Sequence, residues 1–360
     1  MSTSPFMTPT QSRERRTRAA QRRRRRRIGA GLVAVVALLA AGLTMAFAKS
    51  SHAGRHREGR PAIRAEHASK GPPVSALGLP LAGRALPLTG LGNPAADPVQ
   101  IVFHHPPRAG LLFNLDTGQV LWQREPTQRL RIASLTKMMT ALVTVQAAPP
   151  STPVLITKLA YDQGGSKVGV LPLGHHVRLE TLLYGLLLPS GNDAAYALAQ
   201  RVAGSVHAFV GDMNKEAAEL GMGCTRYSSP SGFYDMHNYS CAADLAELAH
   251  ADLQQPRIAR VTRTYTAALP FPIKGGKLYL TNNNPLLIYH YPGATGLKTG
   301  YTIAAGRCLV ATAERKGVRL GVVVLNSAEP GTQARKLLDH GFEDVYHQAP
   351  VAEREMPPGA

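Results

Sequence analysis

The chain of 360 residues carries 41 Lys and Arg against 23 Asp and Glu, a net charge of +18, and 44% of its residues are hydrophobic. That length holds two domains or one large domain with appendages. The charge is concentrated near the start: residues 1–27 contain ten Arg and one Glu, and residues 49–98 contain seven Lys and Arg and three Asp and Glu. The basicity therefore belongs mostly to an appendage, and a nucleic-acid role for the folded part is not indicated.

Residues 1–27 are polar and end in Arg22 to Arg27, followed by the uncharged apolar stretch Ile28 to Ala48. About 20 such residues cross a bilayer as a helix, and flanking arginines keep their own side in the cytoplasm. The expectation is a basic cytoplasmic segment (1–27), a signal anchor (28–48) and everything later outside the cytoplasm. Ala46-Phe47-Ala48 also resembles a signal-peptidase site, although the apolar core is longer than usual. The Arg-Arg pair before the span fits a twin-arginine signal as well. Residues 49–98 mix Pro, Gly, Ala, His and Arg without apolar periodicity and read as a disordered linker. A flexible linker of this length spans roughly 40 Å. His52, His56 and His67 lack metal-ligand spacing.

The folded domain is expected over 99–347, with a tail at 348–360. Gly110–Leu115 and Gln119–Gln123 flank Asp116-Thr117-Gly118 as strand, turn, strand, a hairpin signal. An aspartic-protease reading of that tripeptide needs a second carboxylate sharing the proton, and no second D-T-G exists. From about 130 to 260 the pattern is mainly helical, with helices expected at 179–188, 194–202, 209–220 and 244–253, the last followed by Pro256. Pro270–Lys277 reads as a turn. Arg307–Ala313 and Val318–Leu325, joined by Lys316-Gly317, form a second hairpin, and 332–346 an amphipathic helix. Strands at both ends of a helical middle predict an α+β domain. One antiparallel sheet is built from both ends, with flanking helices and an inserted helical lobe.

Three cysteines are too few for a disulfide scaffold. In an exported protein Cys224 and Cys241 can pair, leaving Cys308 free; three small buried residues is the alternative.

The chemistry gathers on Ala133-Ser134-Leu135-Thr136-Lys137. Residues three apart share a helix face, so Ser134 and Lys137 can meet. A lysine in an apolar pocket can be neutral near pH 7 and take the serine proton. Free N–H groups at the helix start suit an oxyanion. Ser190-Gly191-Asn192 breaks two helical segments, and Lys298-Thr299-Gly300 precedes a strand-like run. The order S-x-x-K, S-x-N, K-T-G is the signature of penicillin-binding proteins and class A β-lactamases.

With these motifs the chain resembles the D-alanyl-D-alanine carboxypeptidases among the low-molecular-weight penicillin-binding proteins, serine peptidase family S11. The resemblance runs from about 108 to 346. It includes Ile132–Leu142, Leu182–Ala195, His237–Leu245, Gly293–Thr302 and Ala305-Gly306-Arg307. It implies a β-lactamase-like, transpeptidase-type fold and hydrolysis of the terminal D-alanine from peptidoglycan stem peptides through an acyl-serine. β-Lactams are implied as acylating inhibitors, and no metal or organic cofactor is implied. By the resemblance Ser134 attacks, Lys137 takes its proton and Ser190 relays a proton to the leaving amine. Asn192 holds the substrate amide, and Lys298 and Thr299 bind the terminal carboxylate. Gly300 leaves room for substrate, and the N–H groups of Ser134 and Tyr301 form the oxyanion hole.

Many family members add a β-rich domain and a C-terminal amphipathic anchor. The 14 residues after Tyr346 are expected to supply neither, so attachment is expected through Ile28–Ala48. A β-lactamase is disfavoured by Gly191 in the middle of S-x-N and by the lack of a Glu-x-x-Leu-Asn stretch. A D,D-endopeptidase needs only a different acceptor pocket, and the intact catalytic residues argue against a silent wall-binding module.

Overall fold

Strong β-formers on both sides of two tight turns build the central sheet. Strands β1 (Ala109–Asn114) and β2 (Val120–Arg124) come from the start of the domain. Strands β3 (Ala294–Thr302), β4 (Gly306–Arg315) and β5 (Val318–Ser327) come from its end. Their order is β2-β1-β5-β4-β3, antiparallel throughout, so β1 lying on β5 closes the two ends of the domain into one sheet. The β4–β5 turn uses positive φ at both Lys316 and Gly317, the conformation whose twist matches paired strands. The computed structural model describes residues 86–233 and 236–350. The expected basic segment, apolar span and most of the linker lie outside the described residues. No described helix is long and apolar enough to cross a membrane.

Both faces of the sheet are covered, which explains why β4 and β5 read as near-continuous apolar runs. Alternation sends Leu111, Phe113, Val310, Val323 and Leu325 into one cluster with the helical lobe. It sends Leu112, Leu309, Ala311, Val322 and Val324 into a second, beneath Leu337 and Leu338. The lobe comprises α1 (Thr136–Ala147), α2 (Leu179–Leu187), α3 (Asn192–Ala203) and α4 (Val206–Glu219). Helices α5 (Ala242–Leu253) and α6 (Pro256–Thr262) return the chain toward the sheet. The opposite face is closed by α7 (Pro330–His340).

The structure adds detail to the sequence reading. Pro256 opens a further helix, α6, because a proline at the first helical position surrenders an N–H that has no partner there. The expected turn at 270–277 joins two strands, Thr266–Pro270 and Lys277–Thr281. Lys298-Thr299-Gly300 lies inside β3 rather than ahead of a strand. The C-terminal helix starts at Pro330, and its α-helical part ends at His340, where a wider turn, Gly341–Val345, continues it. Cys224 and Cys241 are joined in a disulfide, and Cys308 is free and buried.

The boundary of the linker is corrected. Residues 86–98 are packed on the domain: Leu86 is buried and its N–H is bound by both oxygens of Glu247 at 3.0 and 2.8 Å. Thr89 bridges Gln119, and Asp97 accepts from the Gln123 backbone and side chain at 2.8 and 2.7 Å. Apolar periodicity was absent because single residues, not a repeating face, make these contacts. A chain beginning at residue 99 forfeits the burial of Leu86 and leaves Glu247 without that donor. These losses amount to about 3 kcal/mol. It is expected to melt ~5 °C or more below a chain beginning at residue 86, by calorimetry.

Candidate active site

The nucleophile sits where a short 3-10 turn, Ala133–Leu135, runs into α1. Lys137 lies in the first turn of α1 and is fully buried; its Nζ donates to Ser134 Oγ at 2.8 Å and to the Ser231 carbonyl at 3.0 Å. Burial pushes its pKa well below that of a free lysine, the Lys298 charge pushes further the same way, and Asp193 opposes them. A neutral amine accepts a proton where an ammonium could not.

The turn is braced from two sides. Ala133 has φ 47° and Ser190 φ 66°, left-handed conformations that cost a non-glycine residue of order 1–3 kcal/mol and persist because their surroundings fix them. Gly232, at φ 71°, lies so close that an added Cβ would stand 2.1 Å from the Ala133 carbonyl oxygen and 2.4 Å from Thr136 Oγ1. Asn238 ties this loop down, donating to Thr136 Oγ1 at 3.1 Å and accepting from the Ser228 and Ser229 amides. Thr140 Oγ1 donates to the Pro230 carbonyl at 2.7 Å.

On the other side, an added Cβ on Gly300 would stand 2.8 Å from the Ile132 carbonyl oxygen and 3.2 Å from the amides of Ser134 and Leu135. Gly300, which lines the cavity, thereby also lets edge strand β3 lie against Ser134. Gly300→Ala presses a methyl on rigid backbone. It is expected to slow acylation of Ser134 by about 10²-fold, the effect of a displacement near 1 Å, as read by stopped acylation reactions.

Ser190 and Asn192 come from the break between α2 and α3. The Gly191 amide donates to the Gly185 carbonyl at 2.8 Å, the Asn192 amide to the Ser166 carbonyl at 2.8 Å, and Asn192 Nδ2 to the Gly164 carbonyl at 2.7 Å. Asp193 accepts from the Val168 and Gly169 amides at 2.9 and 3.1 Å, fixing the loop that carries Ser166. Ser190 Oγ and Asn192 Oδ1 are buried with no hydrogen-bond partner among the described residues. Buried polar atoms without partners are costly in a finished fold and suit atoms awaiting substrate.

Lys298 projects from β3, is buried, and donates to the Thr299 carbonyl at 2.9 Å. Burial lowers its pKa to about 7. Ser134, Ser190, Thr299, Gly300 and Tyr301 line one cavity of about 360 Å³, shared with Ser166, Tyr289 and Arg307. The structure thus brings five of the eight sequence-predicted site residues to one cavity wall, with Lys137 bonded to Ser134. Lys298 and Asn192 are bound within the walls. Sequence reasoning missed the Ser231 carbonyl, Gly232, Asn238 and Asp193. Asp193 and Asn238 lie inside the stretches Leu182–Ala195 and His237–Leu245 that carry the resemblance, but without a role, and Ser229-Pro230-Ser231-Gly232 reads only as a loop.

The family model described as D-alanyl-D-alanine carboxypeptidase matches residues 100–329. The chain is 35% identical over 260 residues to D-alanyl-D-alanine carboxypeptidase DacF of Bacillus subtilis, covering 70% of this chain and 66% of that protein. It is 36% identical over 245 residues to D-alanyl-D-alanine carboxypeptidase DacB2 of Mycobacterium tuberculosis, covering 66% of this chain and 82% of that protein. A D-alanyl-D-alanine endopeptidase of Pseudomonas aeruginosa is 34% identical over 235 residues, covering 61% of this chain and 75% of the relative. Among solved structures, a D-alanyl-D-alanine carboxypeptidase from M. tuberculosis superposes with a TM-score of 0.65 at 33% identity, over 72% of this chain and 99% of the other. The Streptomyces K15 DD-transpeptidase gives 0.64 at 32%, over 68% and 99%. The described fold is accordingly that of the penicillin-binding DD-peptidases, α+β with a β-lactamase-like arrangement. The chain belongs to the D-alanyl-D-alanine carboxypeptidase family, peptidase family S11.

Proposed function

We propose that this protein is a serine-type D-Ala-D-Ala carboxypeptidase that removes the terminal D-alanine from peptidoglycan stem peptides and is acylated by β-lactams. The observation that carries the reading is the 2.8 Å contact between Ser134 Oγ and the Nζ of fully buried Lys137. Ser134 Oγ attacks the carbonyl carbon between the two D-alanines, and its proton passes to neutral Lys137. The negative oxygen that forms is met by the N–H groups of Ser134 and Tyr301, two fixed dipoles at the cavity wall. The C–N bond then breaks, and the leaving amine takes a proton delivered through Ser190 Oγ. Asn192 Oδ1 accepts from the substrate amide. Lys298 and Thr299 attract and bind the terminal carboxylate, a charge-assisted contact. Water afterwards cleaves the acyl-serine.

The setting follows from the N-terminal sequence. Ile28–Ala48 acts as a signal anchor that holds the enzyme on the bacterial cell membrane with the catalytic domain outside, where peptidoglycan lies; removal of the segment would release the domain. The Cys224–Cys241 disulfide is consistent with an oxidising compartment outside the cytoplasm.

The test offers the full chain a soluble pentapeptide ending in D-Ala-D-Ala and, separately, a D-Ala–diaminopimelate cross-linked dimer. The expected result is free D-alanine from the pentapeptide with the dimer cleaved at least ~10-fold more slowly. Faster cleavage of the dimer would assign an endopeptidase instead.

A further inference from the structure

The cavity contains one charged side chain for which the acylation chemistry has no use. In the β3–β4 register Thr299 faces Leu309 and Tyr301 faces Arg307. Side chains alternate along a strand, so these four share one face of the sheet, while Lys298, Gly300 and Cys308 share the other. Burial along β4 agrees: Leu309 and Ala311 pack in the cluster beneath α7, and Cys308 and Val310 in the cluster of the helical lobe. The four residues of the first face all line the cavity, together with Pro285, Ile288, Tyr289 and Pro330. Arg307 is exposed there, with Nη1 donating to the Ala328 carbonyl at 2.9 Å. The tether orients the guanidinium and leaves other donors of its fork toward the cleft. No Asp or Glu is among the described residues that line the cavity.

Lys298 is poorly suited to be the sole reader of a carboxylate here. It occupies the opposite face, gives a hydrogen bond to its neighbour's carbonyl, and titrates at about 7. Arginine stays charged at every physiological pH and matches a carboxylate with two parallel N–H donors. The diagonal from Thr299 on β3 to Arg307 on β4 is a separation of roughly 7–8 Å that long side chains span. We propose that Arg307 is the permanently charged group that docks the terminal carboxylate of the substrate, together with the Thr299 hydroxyl. It is a specificity-determining residue that selects chains ending in a free acid. The inference rests on the peptidase reading above and deepens it.

The test compares acylation by benzylpenicillin, which carries a free carboxylate, with acylation by its methyl ester. Intact mass is followed over time for the wild type, Arg307→Gln and Arg307→Lys, with thermal melts to establish folding. Arg307→Gln is expected to slow the free acid by about 30-fold, the weight of a charged hydrogen bond, and the ester less than twofold. Arg307→Lys should recover part of the loss. For D-alanine release, KM should rise with kcat nearly unchanged. Equal loss for acid and ester, or no loss for the acid, would overturn the proposal. Acylation of the wild type without D-alanine release would overturn the peptidase reading, while the acid-to-ester ratio would still decide the role of Arg307. A wild type inert to both compounds and to the peptide would overturn both.

Discussion

Replacing Lys137 by methionine is expected to abolish acylation of Ser134 by penicillin while leaving the protein folded. The amine is the only base bonded to Ser134 Oγ among the described residues, at 2.8 Å. General-base assistance contributes about 10²–10⁴-fold, so the acylation rate should fall by ~10³-fold or more. Methionine keeps the length and approximate volume of the side chain. It also removes an amine whose charged form burial disfavours, which offsets the hydrogen bond lost by the Ser231 carbonyl. Melting should therefore stay within a few degrees of the wild type. Loss of acylation with an intact melt is the expected pair of results. Full acylation by the variant would contradict the role of Lys137.

Lys298→Met is expected to act in opposite directions on stability and on rate. The pKa of Lys298 falls from the ordinary 10.5 to about 7 on folding. Between those values the unfolded chain binds more protons than the native one, so stability rises with pH across that window. Below about 7 the group is charged in both states and its burial opposes folding in full, by about 5 kcal/mol at 1.36 kcal/mol per unit. The variant should thus melt well above the wild type at pH 6, and the advantage should shrink as pH rises toward 10. Its activity should change in the other sense. The charge of Lys298 helps hold Lys137 neutral, and removing it raises the Lys137 pKa. The ascending limb of the acylation–pH profile then moves to higher pH. Any descending limb near 7 that reports loss of the Lys298 proton should vanish. A variant with an unchanged profile would separate the two lysines. Such coupled groups titrate as a pair, so the profile of the wild type gives the apparent values of both together.

How far the sequence discloses this structure depends on where each contact is encoded. The β1–β2 and β4–β5 hairpins were legible because Asp116-Thr117-Gly118 and Lys316-Gly317 supply turn chemistry between apolar runs. The closure of the sheet followed from strands at both ends. Ser134 and Lys137 were legible because one helical turn joins them. Other features depend on backbone contacts between segments distant in sequence. Examples are Gly300 against Ile132 and Ser134, Gly232 against Ala133, and the Ser231 carbonyl on Lys137, 94 residues away. No local periodicity marks a residue that matters through its carbonyl or its missing side chain. The same applies to residues 86–98, which are held by Glu247 and Gln123 rather than by a repeating apolar face.

The central claim is that Ser134, activated by Lys137, is the residue acylated. It is tested most directly by intact-mass measurement after addition of benzylpenicillin to the wild type and to Ser134→Ala, with peptide mapping of the product. The predicted result is one slowly decaying adduct on the wild type, mapped to Ser134, and none on the variant. An adduct of equal yield on Ser134→Ala would contradict the account, as would rapid turnover of penicillin by the wild type with no lasting adduct.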